Sequence, residues 1–172
     1  MTTTISITEA QVITAVGQFL QLVFPGVEVI RTQGDGVPMP QGPFIAMTPV
    51  SGRRLSTNTT LYTSGNPGTK AVLTPTEFPV KLDFYGPQAG DWANIIQSLW
   101  RDDFAISNFP DGICPLHADD PIQIPLTTGE QTWLERWTLS ASLQINPVVT
   151  VSQQSATALE IGLVEVDTTY PT

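Results

Sequence analysis

A helical repeat of apolar side chains lies near the start of the sequence. The apolar positions are spaced by three and four residues, as one buried face of a helix requires. They are Val12, Ile13, Val16, Phe19, Leu20 and Val23. Thr8 and Gln11 have the spacing of a capping box ahead of this run, and Pro25-Gly26 follows it. The pattern predicts a first helix over residues 8 to 24.

Two segments alternate between apolar and polar residues, which is the period of a strand with one buried face. In residues 78–85 the apolar set is Phe78, Val80, Leu82 and Phe84, and in residues 132–146 it is Trp137, Leu139, Ala141, Leu143 and Ile145. Residues 44–50 are apolar without alternation, which indicates a strand covered on both faces. Weaker strand signals lie at residues 27–32, 122–125, 148–151 and 159–166.

A second amphipathic stripe predicts a helix over residues 88 to 104. Its apolar residues are Trp92, Ile95, Ile96, Leu99 and Trp100. Asp102 and Asp103 then fall at the carboxyl end of this predicted helix, where the helix dipole disfavours carboxylates. A local rule broken in this way marks a place to look for contacts with a partner. Residues 105–120 are predicted to form a loop.

Residues 51–76 carry little that a protein could bury. The segment is polar and rich in small residues, and it is too long for a passive connection in a compact domain. Weak strand character comes from Leu55, Leu61, Tyr62, Val72 and Leu73. Two interpretations remain open: a disordered surface loop, or an extended hairpin or arm that contacts another subunit.

Together these elements predict an α+β fold. We expect a mixed or mainly antiparallel sheet, which includes residues 44–50, 78–85 and 132–146, to pack against two helices. A chain of 172 residues is long enough for one domain. We interpret residues 1–172 as a single domain with an arm at residues 51–76 and a C-terminal tail at residues 148–172.

Charge is scarce and unevenly distributed. Charged residues make up 13% of the chain, about half the usual share, and the net charge is −9. Residues 1–82 hold four acids and five bases, a sum of +1, whereas residues 83–172 hold twelve acids and two bases, a sum of −10. This balance argues against general binding to nucleic acid or anionic membranes. The acidity is either spread over the whole surface or confined to one face.

Residues suited to catalysis are sparse. His117 is the only histidine, so a catalytic triad would have to use it. His117, Asp119 and Asp120 could hold a divalent cation, although an Asp pair before a proline is also ordinary turn chemistry. No glycine-rich phosphate loop follows a strand, and Cys114 is interpreted as a small packed hydrophobe. We predict no catalytic residue, no metal site and no cofactor.

The sequence has no feature of membrane insertion or export. No run approaches the roughly 18 continuous apolar residues that a spanning helix needs. Residues 1–6 lack the basic and apolar regions of a signal peptide. We therefore expect a protein that stays in the cytoplasm in which it is made.

Two segments resemble a known family. The first is Leu82-Asp83-Phe84-Tyr85-Gly86-Pro87, running into Asp91-Trp92. The second is Gly129-Glu130-Gln131-Thr132-Trp133-Leu134-Glu135-Arg136-Trp137, continuing to Gln144-Ile145-Asn146-Pro147. In these motifs and in the order of its elements, the chain from about residue 8 to about residue 166 resembles the phage neck terminator family of tail-terminator, or tail-completion, proteins. The motifs are core and turn signatures, so the resemblance carries over no catalytic residue.

The resemblance implies a structural virion protein rather than an enzyme. Such subunits form a ring, expected to be a hexamer, which caps the head-proximal end of the tail tube and joins the tail to the neck. The implied partners are other copies of the chain, the tail tube protein and a neck or head-completion protein. DNA would pass through the ring without specific binding. The implied location is the tail or neck of the virion, after assembly in the host cytoplasm.

The resemblance also guides the choice of interface residues. The arm would contact a neighbouring subunit through Arg53, Arg54, Leu61, Tyr62 and Lys70, with the cations facing acids of the second half of the chain. Negative charge lowers the affinity for DNA, so the ring's opening or an end face would carry Asp102, Asp103, Asp119 and Asp120. One alternative is a head-side neck adaptor or stopper protein. Another, from a different class, is a small metal-dependent hydrolase that uses His117.

Overall fold

The computed structural model describes residues 3–32, 39–65, 67–124, 126–127 and 133–154. Within them the helices are α1 (Glu9–Val23), α2 (Ala89–Leu99) and α3 (Asp103–Asn108). The strands are β1 (Thr3–Ile5), β2 (Glu28–Arg31), β3 (Phe44–Pro49), β4 (Arg53–Arg54), β5 (Thr59–Thr63), β6 (Gly68–Leu73), β7 (Thr76–Tyr85), β8 (Ile113–Ala118), β9 (Ile122–Gln123), β10 (Leu126–Thr127), β11 (Trp133–Leu134), β12 (Arg136–Ile145) and β13 (Val148–Gln153). This content confirms the α+β class.

The larger sheet has the strand order β2-β3-β7-β12-β8. The two strands predicted from alternation, β7 and β12, pair antiparallel at its centre, with Leu82 opposite Leu139. Along β7 the short strand β4 continues the edge begun by β3, and along β12 the short strand β9 continues the edge begun by β8. Only the pair of β2 and β3 in this sheet is parallel, so the sheet is mixed, as predicted.

The main hydrophobic core lies between α1, α2 and one face of the larger sheet. Most inward residues of β7 and β12 are at most 3% exposed, namely Val80, Leu82, Phe84, Leu139, Ala141 and Leu143. Ile145 is 7% exposed, and Phe78 and Trp137 are partly buried against the same core. These are the faces that the alternation predicted. The capping box of α1 is also confirmed, because Thr8 Oγ1 accepts from Gln11 N while Gln11 Oε1 accepts from Thr8 N.

A second, four-stranded sheet has the order β1-β13-β6-β5 and is antiparallel throughout. We call it the outer sheet. Its strands β5 and β6 form a hairpin inside residues 51–76. The predicted extended hairpin is therefore present, and its backbone pairs with β13 of the same chain.

A two-stranded ribbon runs through both sheets. One of its strands is residues 68–85, formed by β6 and β7, and the other is residues 136–153, formed by β12 and β13. Between the sheets Thr74-Pro75 faces Asn146-Pro147, and Thr74 N donates to Pro147 O at 3.1 Å. The prolines cannot donate to the ladder at this bend. Pairing continues in the same register on both sides of it.

The second predicted helix is wrong beyond residue 99. The segment forms two helices, since α2 ends at Leu99 and α3 starts at Asp103. Asp102 is the N-cap of α3, and its Oδ1 accepts from Phe104 N at 2.9 Å. The Asp pair therefore lies at the positive end of a helix dipole, where carboxylates are favourable. No local rule is broken at Asp102 and Asp103.

The predicted loop at residues 105–120 is also wrong in part, because it contains α3 and the edge strand β8. The strand was not predicted because proline is rare inside strands. Pro115 lies at an irregularity where the pairing register between β8 and β12 shifts. Cys114 on this strand is exposed rather than packed. The strand predicted at residues 159–166 lies outside the described residues.

Candidate subunit interface

Three of the predicted interface residues lie on the hairpin of the outer sheet. Leu61 and Tyr62 are adjacent on β5, and they are 66% and 62% exposed. Lys70 stands opposite Tyr62 on β6, and its Nζ lies 5.7 Å from the centroid of the Tyr62 ring. The hairpin thus presents two large apolar side chains and one cation to its surroundings.

The other two predicted interface residues, Arg53 and Arg54, lie apart from these on the larger sheet. They form β4, which pairs with β7 at Glu77 and Thr76. Arg53 Nε lies 2.6 Å from Glu77 Oε2. Within its own chain this guanidinium is therefore paired with an acid of the first half, and its contact with acids of a neighbouring subunit stays a prediction.

Glu77 is a buried carboxylate with several polar partners. Its side chain is 8% exposed, and its Oε1 lies 3.9 Å from His117 Nε2. The hydrogen bond from Arg53 holds the pKa of Glu77 below its usual range, and burial opposes that shift while a hydrogen bond from Ser142 supports it. Glu77 is therefore charged in the folded protein at neutral pH. Through Arg53, His117 and Ser142, the Glu77 carboxylate of β7 contacts β4, β8 and β12 on the sheet face opposite α1 and α2.

The four acids assigned to an opening or end face are all exposed. Asp102 and Asp103 begin α3, whereas Asp119 and Asp120 follow β8. Asp120 Oδ1 accepts from Gln97 Nε2 at 2.7 Å. Asp119 and Asp120 share a shallow cleft with Arg101 and His117. The cleft therefore has cationic as well as acidic side chains.

His117 does not belong to a metal centre in the part of the chain that the structure describes. Among those residues, no group of three or more histidines, cysteines or acids is placed to hold a metal ion. The imidazole faces Glu77, whose carboxylate is already bonded to Arg53. The arrangement is that of an ion-pair network within a sheet.

The described parts of the two segments that carry the family resemblance meet in the structure, whereas residues 129–132 of the second segment lie outside the described residues. Phe84 on β7 stands opposite Trp137 on β12, and Gly86 N donates to Glu135 O. Arg136 binds Asp83 Oδ1 through Nε at 3.0 Å and Nη2 at 2.7 Å, and Asp83 is 4% exposed.

Aromatic contacts complete this region. The rings of Phe44 and Tyr85 stack at 4.3 Å, and the Arg136 guanidinium lies 5.7 Å from the Tyr85 ring. Gly90 of α2 lies against Trp137, where an added Cβ would be only 3.0 Å from the indole. The shared motifs thus build the junction of β7, β12 and α2. In their described residues, the contacts of these motifs are those of core packing, turns and an ion pair.

The sequence matches the phage neck terminator protein family over residues 10–171. The chain belongs to this family. The match includes both motifs, which lie at the centre of the fold. Membership in the family makes the chain a structural protein of the phage neck, located in the tail or neck of the virion. No curated protein was found to match the chain. No helix in the described residues is long and apolar enough to cross a membrane.

The sequence reasoning missed one strand of the outer sheet and the partner of another. β1 was not predicted, whereas the weak strand signal at residues 148–151 corresponds to β13, for which no partner was predicted. Both belong to the outer sheet, where β13 pairs with β6 over six residue pairs. The β-branched run Thr3-Thr4-Ile5 was the available signal for β1.

Proposed function

We propose that the protein caps the head-proximal end of the tail tube as a ring and joins the tail to the neck. The ring is a hexamer in this proposal, and each subunit is one domain spanning residues 1–172. Family membership supports a structural role in the neck. The tail tube protein and a neck or head-completion protein are the partners, and DNA passes through the ring without specific binding.

The observation that carries the proposal is the exposure of the outer sheet. Apart from Gly68, which has no side chain, none of its strand residues is buried, and neither hydrophobic cluster includes any of them. A sheet gains stability mainly by burying a face, so one without a core is suited to burial by a partner. Ile5, Leu61 and Tyr62 are the large exposed side chains of this sheet that are available for that contact.

Termination requires two unlike ends. Tube rings stack head to tail, and such heterologous contacts extend without limit unless a different surface ends the stack. The sums of +1 for residues 1–82 and −10 for residues 83–172 would provide unlike faces if the two halves segregate in the ring. Asp102, Asp103, Asp119 and Asp120 would then line the opening or an end face. The carboxylates at a helix C-terminus, which first suggested this placement, are not found in the structure. The exposure of the four acids and the net charge support the placement instead.

Electron microscopy of particles from a phage that lacks this protein tests the proposal. We expect tails of uncontrolled length that fail to join filled heads, and supply of the wild-type chain in trans should restore normal particles. Free tails of normal length would reject termination in favour of a head-side neck adaptor or stopper. Normal infectious particles without the protein would reject both functions.

A further inference from the structure

The two edges of the outer sheet are formed by β1 and β5. All residues of both strands are exposed, and on their outer sides neither strand pairs with another within residues 3–154 as described. Proteins usually protect such edges with charged residues, proline or a bulge. β1 and β5 have neither a charge nor a proline, and their ladders run without a register shift. Within the described residues both edges are therefore open to further pairing, over three residues in β1 and five in β5.

The directions of the strands make the two edges complementary. Each strand of the outer sheet is antiparallel to its neighbour, and there are four of them, so β1 and β5 run in opposite directions. If a second copy is placed beside the first in the same orientation, its β1 lies antiparallel to β5 of the first copy. Antiparallel pairing is the more stable arrangement. An odd number of strands would have placed two parallel edges together.

The chemistry of the outer sheet also favours a second copy as the occupant. Tyr62 and Lys70 are the only residues with ionisable side chains in its four strands. Association of two copies through this sheet would therefore bring few like charges together and desolvate few charged groups. A basic or acidic partner would find little to pair with along these edges.

We propose that β5 of one copy pairs with β1 of the next, so that the outer sheets of all copies join into one continuous antiparallel sheet. Ring closure rests on the proposed function. In a closed ring every edge is paired, whereas a two-fold dimer through β5 leaves both β1 edges open. The pairing assigns an interface role to Thr3, Thr4 and Ile5 and makes the hairpin residues Leu61 and Tyr62 part of a subunit contact.

Disulfide cross-linking tests the pairing. In a Cys114→Ser background, one protein carries Thr4→Cys and a second carries a single cysteine at residue 60, 61 or 62. The two are mixed, with tail tube protein present, and oxidised. Opposite residues in antiparallel strands are about 4.5–5.5 Å apart between Cα atoms, within the range of a disulfide. We expect a covalent dimer only in the mixtures, with one β5 position giving the highest yield.

The same samples separate this inference from the ring itself. Native mass spectrometry reports whether a closed oligomer forms before oxidation. An oligomer without any mixed disulfide overturns the strand pairing and leaves the ring standing. Disulfide dimers from a β5 cysteine alone show two-fold pairing and also overturn it. If no oligomer forms with or without tail tube protein, both the pairing and the proposed ring fail.

A charge on the edge gives an independent test. Leu61→Lys places an ammonium group on β5, whereas Ile106→Lys makes the same kind of change at an exposed apolar residue of α3. We expect Leu61→Lys to weaken self-association at least tenfold and Ile106→Lys to leave it unchanged, with similar melting temperatures for both variants. Equal self-association of the two variants would contradict the inference.

Discussion

The indole of Trp100 satisfies a backbone group at an interruption of the sheet. Trp100 is fully buried, and its Nε1 donates to Ser142 O at 3.0 Å. The carbonyls of Arg136 and Ser140, which share an edge of β12 with that of Ser142, accept from residues on the β8 and β9 side. On that side the pairing with β8 shifts register between Ser142 and Leu143. The side chain therefore supplies a hydrogen-bond donor where the strands provide few.

Replacement of this donor should be costly. Trp100→Phe keeps an aromatic ring but leaves the buried carbonyl of Ser142 without its donor and creates a cavity. We expect the free energy of unfolding to fall by about 2–4 kcal/mol, measured by urea unfolding followed by circular dichroism. Trp92→Phe is the control, because the Trp92 indole makes no hydrogen bond to the described residues. An equal loss in the two variants would assign the effect to ring size alone.

The buried carboxylate of Glu77 should make stability depend on pH. Its pKa is lowered in the folded state, chiefly by Arg53, so folding favours the charged form. The resulting stabilisation is complete above the ordinary glutamate pKa of about 4.3 and is lost as the pH falls through the lower folded value. We expect the stability difference between wild type and Glu77→Gln to shrink between pH 6 and pH 3.

Glu28→Gln removes an exposed carboxylate and controls for the change in net charge. Urea unfolding of the three proteins across this pH range provides the measurement. A stability difference between wild type and Glu77→Gln that stays constant with pH would contradict the lowered pKa of Glu77 in its ion pair with Arg53.

At the scale of elements, the turn from β7 into α2 depends on a glycine. Gly86 has φ +115°, and an added Cβ would lie 2.9 Å from Pro43. Gly26, after α1, also has a positive φ of +86° but has no atom near that position. A comparison of substitutions at the two glycines can therefore distinguish backbone strain, which affects both positions, from steric contact with Pro43, which affects only Gly86.

Alanine at these two positions should have unequal effects. Gly26→Ala adds backbone strain of about 1–2 kcal/mol. Gly86→Ala adds strain and also displaces Pro43, so we expect a larger loss of stability and a lower melting temperature than for Gly26→Ala. Similar melting temperatures would mean that the loop containing Pro43 adjusts without cost.

The elements that the sequence predicted well are those with a one-sided apolar pattern. Alternation placed β7 and the main part of β12 correctly, and the spacing and capping box placed α1 within a residue at each end. The strand predicted over residues 132–146 was wrong at its start, because Trp133–Leu134 form β11, which pairs with β10, and β12 begins at Arg136. The break between α2 and α3 was missed because the apolar stripe reaches Trp100, only two residues before the N-cap Asp102. β8 was missed because Pro115 and Gly112 are typical of loops.

The candidate interface was less predictable for a physical reason. Composition left residues 51–76 as either a disordered loop or an extended hairpin or arm, and Leu61 and Tyr62 lie exposed on a hairpin. The partner of that hairpin is residues 148–153, which pair in turn with residues 3–5, and pairing between such distant segments leaves no local trace. Arg53 was grouped with the hairpin by proximity in sequence, although its strand pairs with β7.

At the scale of the whole molecule, the proposed ring predicts a specific effect of charge reversal. Asp103→Lys combined with Asp119→Lys would place cations at the opening or an end face. Lysines that neutralise phosphates strengthen non-specific binding. We expect the assembled ring to bind duplex DNA at least tenfold more tightly at about 50 mM salt, measured by fluorescence anisotropy. Glu28→Lys with Asp91→Lys changes the net charge equally at other exposed positions. Equal binding by the two rings would contradict the placement of these acids.

The ribbon of residues 68–85 and 136–153 has a mechanical consequence. A force that pulls the outer sheet away along the ribbon acts on β7 and β12, the two central strands of the larger sheet. Because both strands are pulled in the same direction, such a force loads the hydrogen bonds of β7 with β3 and of β12 with β8 in shear at the same time, rather than opening them one after another from an end. Separation of the two sheets would require the central pair to slide past β3 and β8, which moves every opposed contact along those ladders. A tail under tension would therefore stretch the bend at Thr74-Pro75 and Asn146-Pro147 before it disturbed the core.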